Sequence, residues 1–168
     1  QSESEGTAFW AVRTEQALFL YHENDNSLQR LTTVEGMSES NPTALAWDED
    51  GEILMVGYAS GKLDLFSNSG DWLYTFNDIP QSNLIGDKSI LQLLWGGPND
   101  PDMIYAACGF GIVAMNIRSL DIRDTWYLEG QQNLRRCDGI AVQDAGNAAP
   151  IYVVWTDAGV FEAPTNHP

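Results

Sequence analysis

The sequence contains few residues that could perform acid-base or nucleophilic chemistry. Only two of its 168 residues are histidines, His22 at the end of a predicted strand and His167 in the C-terminal tail. A Ser-His-Asp or Cys-His arrangement needs a histidine held beside a nucleophile, and neither position offers that setting. Carboxylate pairs are frequent because the chain has 24 Asp and Glu residues, but none stands in a recognisable acid-base motif. We therefore predict no catalytic residues.

Metal and cofactor sites are also not indicated by the sequence. The spacing of Cys108 and Cys137 matches no zinc motif. The acidic segments 23–27 and 48–52 do not follow the ligand order of an EF-hand loop, and we interpret both as solvated turns. We predict no metal site and no cofactor. For the two cysteines the sequence leaves two alternatives, small buried side chains or one disulfide bond between them.

The residues with the best potential for binding lie in predicted loops and combine charged groups with one aromatic ring. They are Gly86, Asp87, Lys88, Phe110, Arg135 and Arg136. The cations could contact an anionic group or a partner protein. Alternatively they form local ion pairs, because Asp78, Glu129 and Asp157 are expected nearby. In that interpretation Asp87 stabilises a turn by accepting hydrogen bonds from backbone N–H groups.

The composition limits the class of partner. Eight Lys and Arg residues against 24 Asp and Glu residues give a formal charge of -16, which repels nucleic acid. A hydrophobic content of 43% with 19% charged residues is typical of a folded domain. No apolar run approaches the roughly 20 residues that span a bilayer. Because the chain begins with Gln1 rather than Met, we expect a trimmed or mature chain that has lost a signal peptide.

The elements that must position the candidate residues are short predicted strands that repeat about every 50 residues. Each complete repeat is a meander of four strands, which we name A, B, C and D in chain order. Trp47 and Trp95 both end an A strand, while Gly61, Gly111 and Gly159 lie in turns between B and C. Repeated four-stranded meanders are typical of a β-propeller. The tryptophans are interpreted as packing between blades rather than as sugar-binding platforms.

The sequence thus predicts an all-β fold, a β-propeller fragment of about four blades built from four-stranded antiparallel meanders. Strands are predicted at 9–12, 17–21 and 28–34, at 43–47, 53–56, 63–66 and 72–76, at 90–95, 103–108, 112–117 and 122–128, and at 139–142, 151–155 and 160–163. The first group lacks an A strand and the last lacks a D strand. We therefore expect the isolated chain to self-associate through the open end blades or to be only marginally stable. A β-sandwich is the alternative, but it gives no reason for tryptophans to recur in register.

Domain boundaries follow from the same pattern. Residues 1–6 are predicted to be flexible and residues 164–168 to form a tail, since termini without apolar residues are rarely ordered. Residues 7–163 form the predicted partial propeller. Its blades are expected at about 7–41, 42–88, 89–136 and 137–163.

The meander also sorts the loops onto two sides of the ring, because alternate turns fall on opposite sides. The D to A and B to C connections share what we call the basic face. It carries Arg13, Lys62, Lys88, Arg135 and Arg136. The A to B and C to D connections share what we call the acidic face. It carries Glu23, Asp25, Asp48, Glu49, Asp50, Asp71, Asp100, Asp102 and Asp144.

Several short motifs resemble the N-terminal propeller of PorZ-like surface proteins of the type IX secretion system. They are Asp64-Leu-Phe, residues 83–90, residues 108–113 and residues 121–127. Gly36-Met-Ser-Glu is similar to the Gly-Leu-Ser-Asp of that family and of two-component regulator propellers. The likeness extends from about Thr7 to Ala163 and is most specific between Gly86 and Tyr127.

The resemblance implies a longer exported protein of the periplasm or outer cell surface, with two propellers and a C-terminal sandwich domain. It implies a non-catalytic scaffold that assists attachment of secreted cargo to lipopolysaccharide. The expected partners are other secretion-system surface proteins and anionic lipopolysaccharide. Catalysis belongs to a partner protease in this family, so no catalytic residue carries over. The alternatives are a glycan-sensing propeller of a hybrid two-component regulator and a glycan-active propeller enzyme.

Overall fold

The computed structural model describes residues 9–48, 52–96, 100–128, 134–143 and 151–164. These residues form four antiparallel sheets and one short helix. The strands are β1 (Phe9–Arg13), β2 (Leu18–His22), β3 (Ser27–Leu31), β4 (Pro42–Asp48), β5 (Ile53–Tyr58), β6 (Leu63–Ser67), β7 (Trp72–Phe76), β8 (Ile90–Trp95), β9 (Met103–Cys108), β10 (Gly111–Asn116), β11 (Asp121–Trp126), β12 (Cys137–Gln143), β13 (Ile151–Thr156) and β14 (Gly159–Pro164). The helix α1 (Asp78–Gln81) is a single turn.

Each sheet is a meander in which strands that follow one another in the chain pair side by side. The first sheet is β1-β2-β3, the second β4-β5-β6-β7, the third β8-β9-β10-β11 and the fourth β12-β13-β14. All pairings are antiparallel. The predicted all-β propeller fragment is confirmed, and within the described residues the first and fourth sheets have three strands each.

One strand boundary of the prediction is wrong. The third strand ends at Leu31 instead of residue 34, because Thr32 and Glu35 close a turn there. The backbone N–H of Thr32 donates to Glu35 Oε2 at 2.8 Å, and the Glu35 N–H donates to Thr32 O at 3.1 Å. The predicted flexible segment 1–6 and residues 165–168 of the predicted tail lie outside the described residues.

The sheets are held together by three apolar cores, one at each junction between neighbouring sheets. Side chains alternate along each strand, so an inner sheet buries both of its sides. On β5, Leu54 and Val56 pack toward the first sheet while Met55 packs toward the third. The third and fourth sheets share a core that includes Tyr105 and Tyr152. Burying each large apolar side chain stabilises the fold by about 1.5–3 kcal/mol.

The tryptophans divide into two groups, and the expectation that they all pack between blades is wrong. Those that pack against the cores are Trp47, Trp95 and Trp126. Those that are exposed are Trp10, Trp72 and Trp155. Trp10 and Trp155 lie on the outward sides of the first and fourth sheets, where no further sheet covers them among the described residues. Trp72 lies on the outermost strand of the second sheet.

The innermost strands of neighbouring sheets are also joined by hydrogen bonds. The Thr43 hydroxyl on β4 donates to the Ile90 carbonyl on β8 at 2.6 Å. The Gln92 amide on β8 donates to the Ile140 carbonyl at 3.1 Å and accepts from the Ile140 N–H at 3.0 Å. Glycine permits the close approach, since a Cβ on Gly57 would lie 2.6 Å from Ile90 Cγ2. The sheets are therefore fixed relative to one another by polar contacts as well as by burial.

Candidate functional site

The structure brings the candidate residues together where the loop before β8 meets the turn between β9 and β10. The Gly109 N–H donates to the Ser89 carbonyl at 3.0 Å. A Cβ on Gly109 would lie 2.5 Å from Asp87 Cγ, so only glycine permits the observed contact. Arg136 Nη1 lies 3.9 Å from Asp87 Oδ2. The assignment of loops to one face from the alternate turns of the meander therefore grouped loops that are in contact.

Asp87 organises its own loop. Its Oδ1 accepts hydrogen bonds from the Ser89 N–H at 2.9 Å and from the Ser89 hydroxyl at 2.5 Å. These bonds are the main reason that the pKa of Asp87 is lowered, and the nearby Arg136 charge lowers it further. Asp87 is therefore ionised at neutral pH and stabilises the turn, as the turn interpretation predicted.

Lys88 is directed back toward α1. Its Nζ donates to the Pro80 carbonyl at 2.9 Å and to the Ser82 carbonyl at 2.8 Å. Cations are favourable at the end of a helical turn, where carbonyl groups lack partners within the helix. The ammonium group thus holds the loop that follows β7.

The two arginines are both ion-paired on the basic face. Arg135 Nη1 lies 2.7 Å from Asp157 Oδ1. Arg136 Nε lies 2.6 Å from Asp138 Oδ1, and this bond is the main reason that the pKa of Arg136 is raised. The Arg136 side chain is 51% exposed, so solvent and a ligand can both reach it. Of the six candidates it is the cation most accessible for a new contact.

The two remaining candidates, Phe110 and Gly86, pack against other residues of the protein. Phe110 is 3% exposed and belongs to the core between the second and third sheets. Its ring lies 6.4 Å from that of Tyr127. Gly86 faces Leu134, since an added Cβ would lie 3.2 Å from Leu134 Cδ1. The aromatic ring expected to help bind a ligand therefore packs under the turn that carries it.

The other cations of the basic face also have partners. Arg13 Nη1 donates to the Pro42 carbonyl at 3.2 Å, and Lys62 Nζ lies 3.5 Å from Glu39 Oε1. The Lys62–Glu39 ion pair, which is partly exposed to water, contributes little to stability. It nevertheless reduces the attraction of the basic face for a distant anion.

Both cysteines are free and buried, so of the two alternatives the structure contains unpaired thiols. Burial raises the pKa of the Cys108 thiol strongly and that of the Cys137 thiol to about 12. A thiol that does not ionise near neutral pH is a poor nucleophile and a poor metal ligand. Among the described residues, no group of three or more His, Cys, Asp or Glu side chains is placed to hold a metal ion.

A buried polar network that was not predicted from the sequence is centred on Asp64, which is 0% exposed. Its carboxylate accepts from the Ser38 N–H at 2.7 Å, the Ser38 hydroxyl at 2.6 Å, the Tyr58 hydroxyl at 2.7 Å and the Thr75 hydroxyl at 2.6 Å. Trp72 Nε1 donates to the Thr75 hydroxyl at 2.9 Å. Burial and the bond to Asp64 raise the pKa of Tyr58.

The Asp64 network has a structural role. Ser38 belongs to the Gly36-Met-Ser-Glu segment between β3 and β4, so the network attaches this connection to the second sheet. A polar residue between Leu63 and Leu65 in an apolar strand was the one indication in the sequence.

A cavity that was not predicted from the sequence lies on the acidic face, between the first and second sheets. Its volume is about 830 Å³. The lining residues are Phe9, His22, Asn24, Asp25, Ser27, Gln29, Trp47, Glu52, Asn68 and Ser69. They come from strand ends and turns that are distant in sequence. No local motif could therefore identify the cavity.

No helix formed by the described residues is both long enough and apolar enough to cross a membrane. Comparison with known families gives one match that covers most of the chain. The family described as the TSS9, PorZ, N-terminal beta-propeller domain matches residues 11–167. No curated protein sequence matches the chain.

Two solved structures share the fold at low sequence identity. PorZ of Porphyromonas gingivalis, described as an essential bacterial surface component of the type-IX secretion system, has 21% identity and a TM-score of 0.65. That match covers 93% of this chain and 20% of the PorZ chain. Sqt1 of Saccharomyces cerevisiae has 14% identity and a TM-score of 0.67, over 95% of this chain and 41% of Sqt1. The chain thus spans a fifth of the PorZ structure and two fifths of the Sqt1 structure.

Proposed function

Because the chain belongs to the PorZ N-terminal β-propeller family, we propose that it is part of a type IX secretion surface protein and acts there as a non-catalytic interaction scaffold. The observation that carries this proposal is the family match over residues 11–167. The proposed location is the periplasm or the outer cell surface. The proposed process is attachment of secreted cargo to anionic lipopolysaccharide.

The scaffold role fits the physical character of the described residues. Four sheets joined by three cores and by hydrogen bonds between inner strands make a rigid support for surface loops. The polar clusters on that support are satisfied by internal hydrogen bonds, and both thiols are buried. Such a unit offers fixed surfaces to partners.

Deletion in the native protein tests the proposed function. Removing residues 9–164 from the chromosomal gene should leave secreted cargo unattached at the cell surface, measured by surface labelling and by cargo released to the medium. Re-expression of the intact protein should restore attachment. Normal attachment in the deletion strain, with the remainder of the protein present at its usual level, would refute the proposal.

We place the contact with an anionic partner group on the basic face, around the Gly86–Lys88 loop and Arg136. The chain as a whole repels anions, so only a local group of cations can receive one. Arg136 can exchange its exposed bond to Asp138 for a ligand at small cost. Lys88 and Arg135 support the loop geometry beside it.

Arg136→Gln tests this placement by removing one exposed charge. We expect weaker binding of purified lipopolysaccharide, measured by surface plasmon resonance at several salt concentrations. The matched control is Arg118→Gln, which removes an 80% exposed charge on the acidic face. Equal binding by both variants and the unaltered chain would exclude Arg136 as a contact.

We also propose that the isolated chain self-associates through the outward sides of its end sheets. Leu28 on the first sheet and Val160 on the fourth are 65% and 58% exposed. Each of these sheets packs against a neighbouring sheet on its other side only. A second copy would cover these apolar surfaces, as further blades would in a longer protein.

Sedimentation equilibrium tests the self-association. The mass of the unaltered chain should increase with concentration, and Leu28→Ser combined with Val160→Ser should reduce that increase. Val34→Ser with Ile85→Ser is the control, because these side chains are 88% and 92% exposed in loops. A monomer at all concentrations would contradict the proposal.

A further inference from the structure

The cavity on the acidic face has the form of a binding site. It is open to solvent between two packed sheets and its volume of about 830 Å³ lies within the range of small-ligand sites. Its position is set by the ends of β2 and β4 and the starts of β1 and β3. Because these strands are fixed by a shared core, the cavity walls are preformed.

One wall of the cavity is aromatic. The Phe9 ring centroid lies 4.7 Å from that of Trp47 and 5.1 Å from that of His22. Aromatic faces are electron-rich and attract cations, with tryptophan giving the strongest attraction. A flat cation can also stack against such a wall.

The remaining walls supply hydrogen-bond acceptors. Asp25 accepts from the Ser27 N–H at 2.9 Å through Oδ1, and Glu52 accepts from Asn68 Nδ2 at 2.5 Å through Oε2. Each carboxylate has a second oxygen for a further partner. The Gln29 side-chain amide also lines the cavity and can present its oxygen to a ligand.

Charge around the cavity decides the class of ligand. The lining includes two carboxylates, while Lys and Arg do not occur among the lining residues that the structure describes. Glu23, which accepts from Trp10 Nε1 at 2.7 Å, adds a third negative charge nearby. An anion would be repelled here, while a cation gains from the carboxylates and the rings together.

We propose that this cavity binds a basic side chain of a polypeptide partner, preferably arginine. A guanidinium group is planar, stacks on aromatic rings and donates up to five hydrogen bonds. The Phe9–Trp47 wall and the acceptors of Asp25, Glu52 and Gln29 match these properties. The site is separate from the basic face, and the proposal does not depend on the role in secretion.

The test measures binding of the peptide acetyl-Gly-Arg-Gly-amide to the full chain by NMR. We expect saturable shifts of the Trp47 indole and of the Asn68 and Gln29 side-chain amide signals. The same peptide with citrulline in place of arginine is neutral and of nearly equal shape, and it should bind at least about tenfold more weakly. Equal binding of the two peptides, or no shift with the arginine peptide, would overturn the proposal.

Paired substitutions separate a local site from the general negative field. Asp25→Asn with Glu52→Gln should weaken the arginine peptide about tenfold. Asp102→Asn with Asp121→Asn removes the same charge from the acidic face at the third sheet, and should change the affinity less than about twofold. An equal loss in both double variants would show attraction by net charge alone and would overturn the site. Unchanged binding in the first double variant would do so too.

Discussion

The second sheet packs against a neighbour on each side, and the two junctions use different chemistry. Toward the third sheet the core is apolar, and Val113 on β10 is buried in it opposite Ala106. Toward the first sheet the corresponding position of β6 is Asp64, buried opposite Val56. The same strand geometry therefore accommodates a valine or a carboxylate. The difference is that Ser38, Tyr58 and Thr75 supply donors to the carboxylate.

This contrast shows what a buried charge requires. An isolated carboxylate in an apolar core is very unfavourable, whereas one with several donors is tolerated. The network also attaches a connecting segment to a sheet in one orientation. Apolar packing cannot do this, because it is not directional. We infer that Asp64 contributes to the specific position of the Gly36–Glu39 segment as well as to stability.

The largest expected effect on stability comes from replacing the buried carboxylate of Asp64 with the valine found at the corresponding position of the third sheet. Asp64→Val leaves the donors on Ser38, Tyr58 and Thr75 without an acceptor, and should lower the free energy of unfolding by about 3–5 kcal/mol. Urea denaturation followed by tryptophan fluorescence measures the change. Asp71→Ala, at an exposed position, is the control and should remain within about 0.5 kcal/mol. A loss no larger than that of the control would mean that the network contributes nothing to stability.

A smaller effect is expected at the junction between the third and fourth sheets. Gln92→Leu removes both hydrogen bonds to Ile140 and leaves two backbone groups without partners, so we expect a loss of about 1–2 kcal/mol. Thermal unfolding by circular dichroism measures it. Gln143→Leu, at an exposed position of β12, should be nearly neutral. Equal melting temperatures for the two variants would show that water replaces the Gln92 bonds without cost.

The smallest effect concerns Asp87 on the basic face, whose pKa is below its ordinary value of 3.8. A lowered folded-state pKa contributes stability above pH 3.8, and this contribution is lost as the pH falls through the folded value. Because the site is largely exposed, we expect no more than about 0.5 kcal/mol. Asp87→Asn should therefore make the loss of stability below pH 3.8 slightly less steep in acid titrations. A steeper loss would contradict the assigned direction.

The fold could be predicted from the sequence because short, local sequence patterns specify its strands and turns. Strands such as β8 and β9 coincide with the predicted boundaries, since apolar runs between turn residues specify them. The grouping of loops into two faces followed from the meander alone. The end of β3 could not be found, because the Thr32–Glu35 turn competes with the strand through side-chain bonds.

The candidate site was only partly predictable for a related reason. Sequence placed Asp87 and Arg136 on one face, and the structure puts them in contact. It could not show that Phe110 turns inward, because burial depends on the neighbouring sheet. It could not find the Asp64 network or the acidic-face cavity, because Ser38 and Asp64 meet across 26 residues and the cavity walls come from two sheets.

The division of the apolar interior into three separate junction cores has a consequence for how the molecule opens. Each sheet is stabilised by contacts with its immediate neighbours, so the stability of the fold is a sum of contacts between adjacent sheets and does not depend on a single common core. Backbone amides of β5, β6, β9 and β10, which are covered on both sides, should exchange with solvent most slowly. The first and fourth sheets can detach singly in partial unfolding, so they are the segments in which proteolysis and exchange should begin.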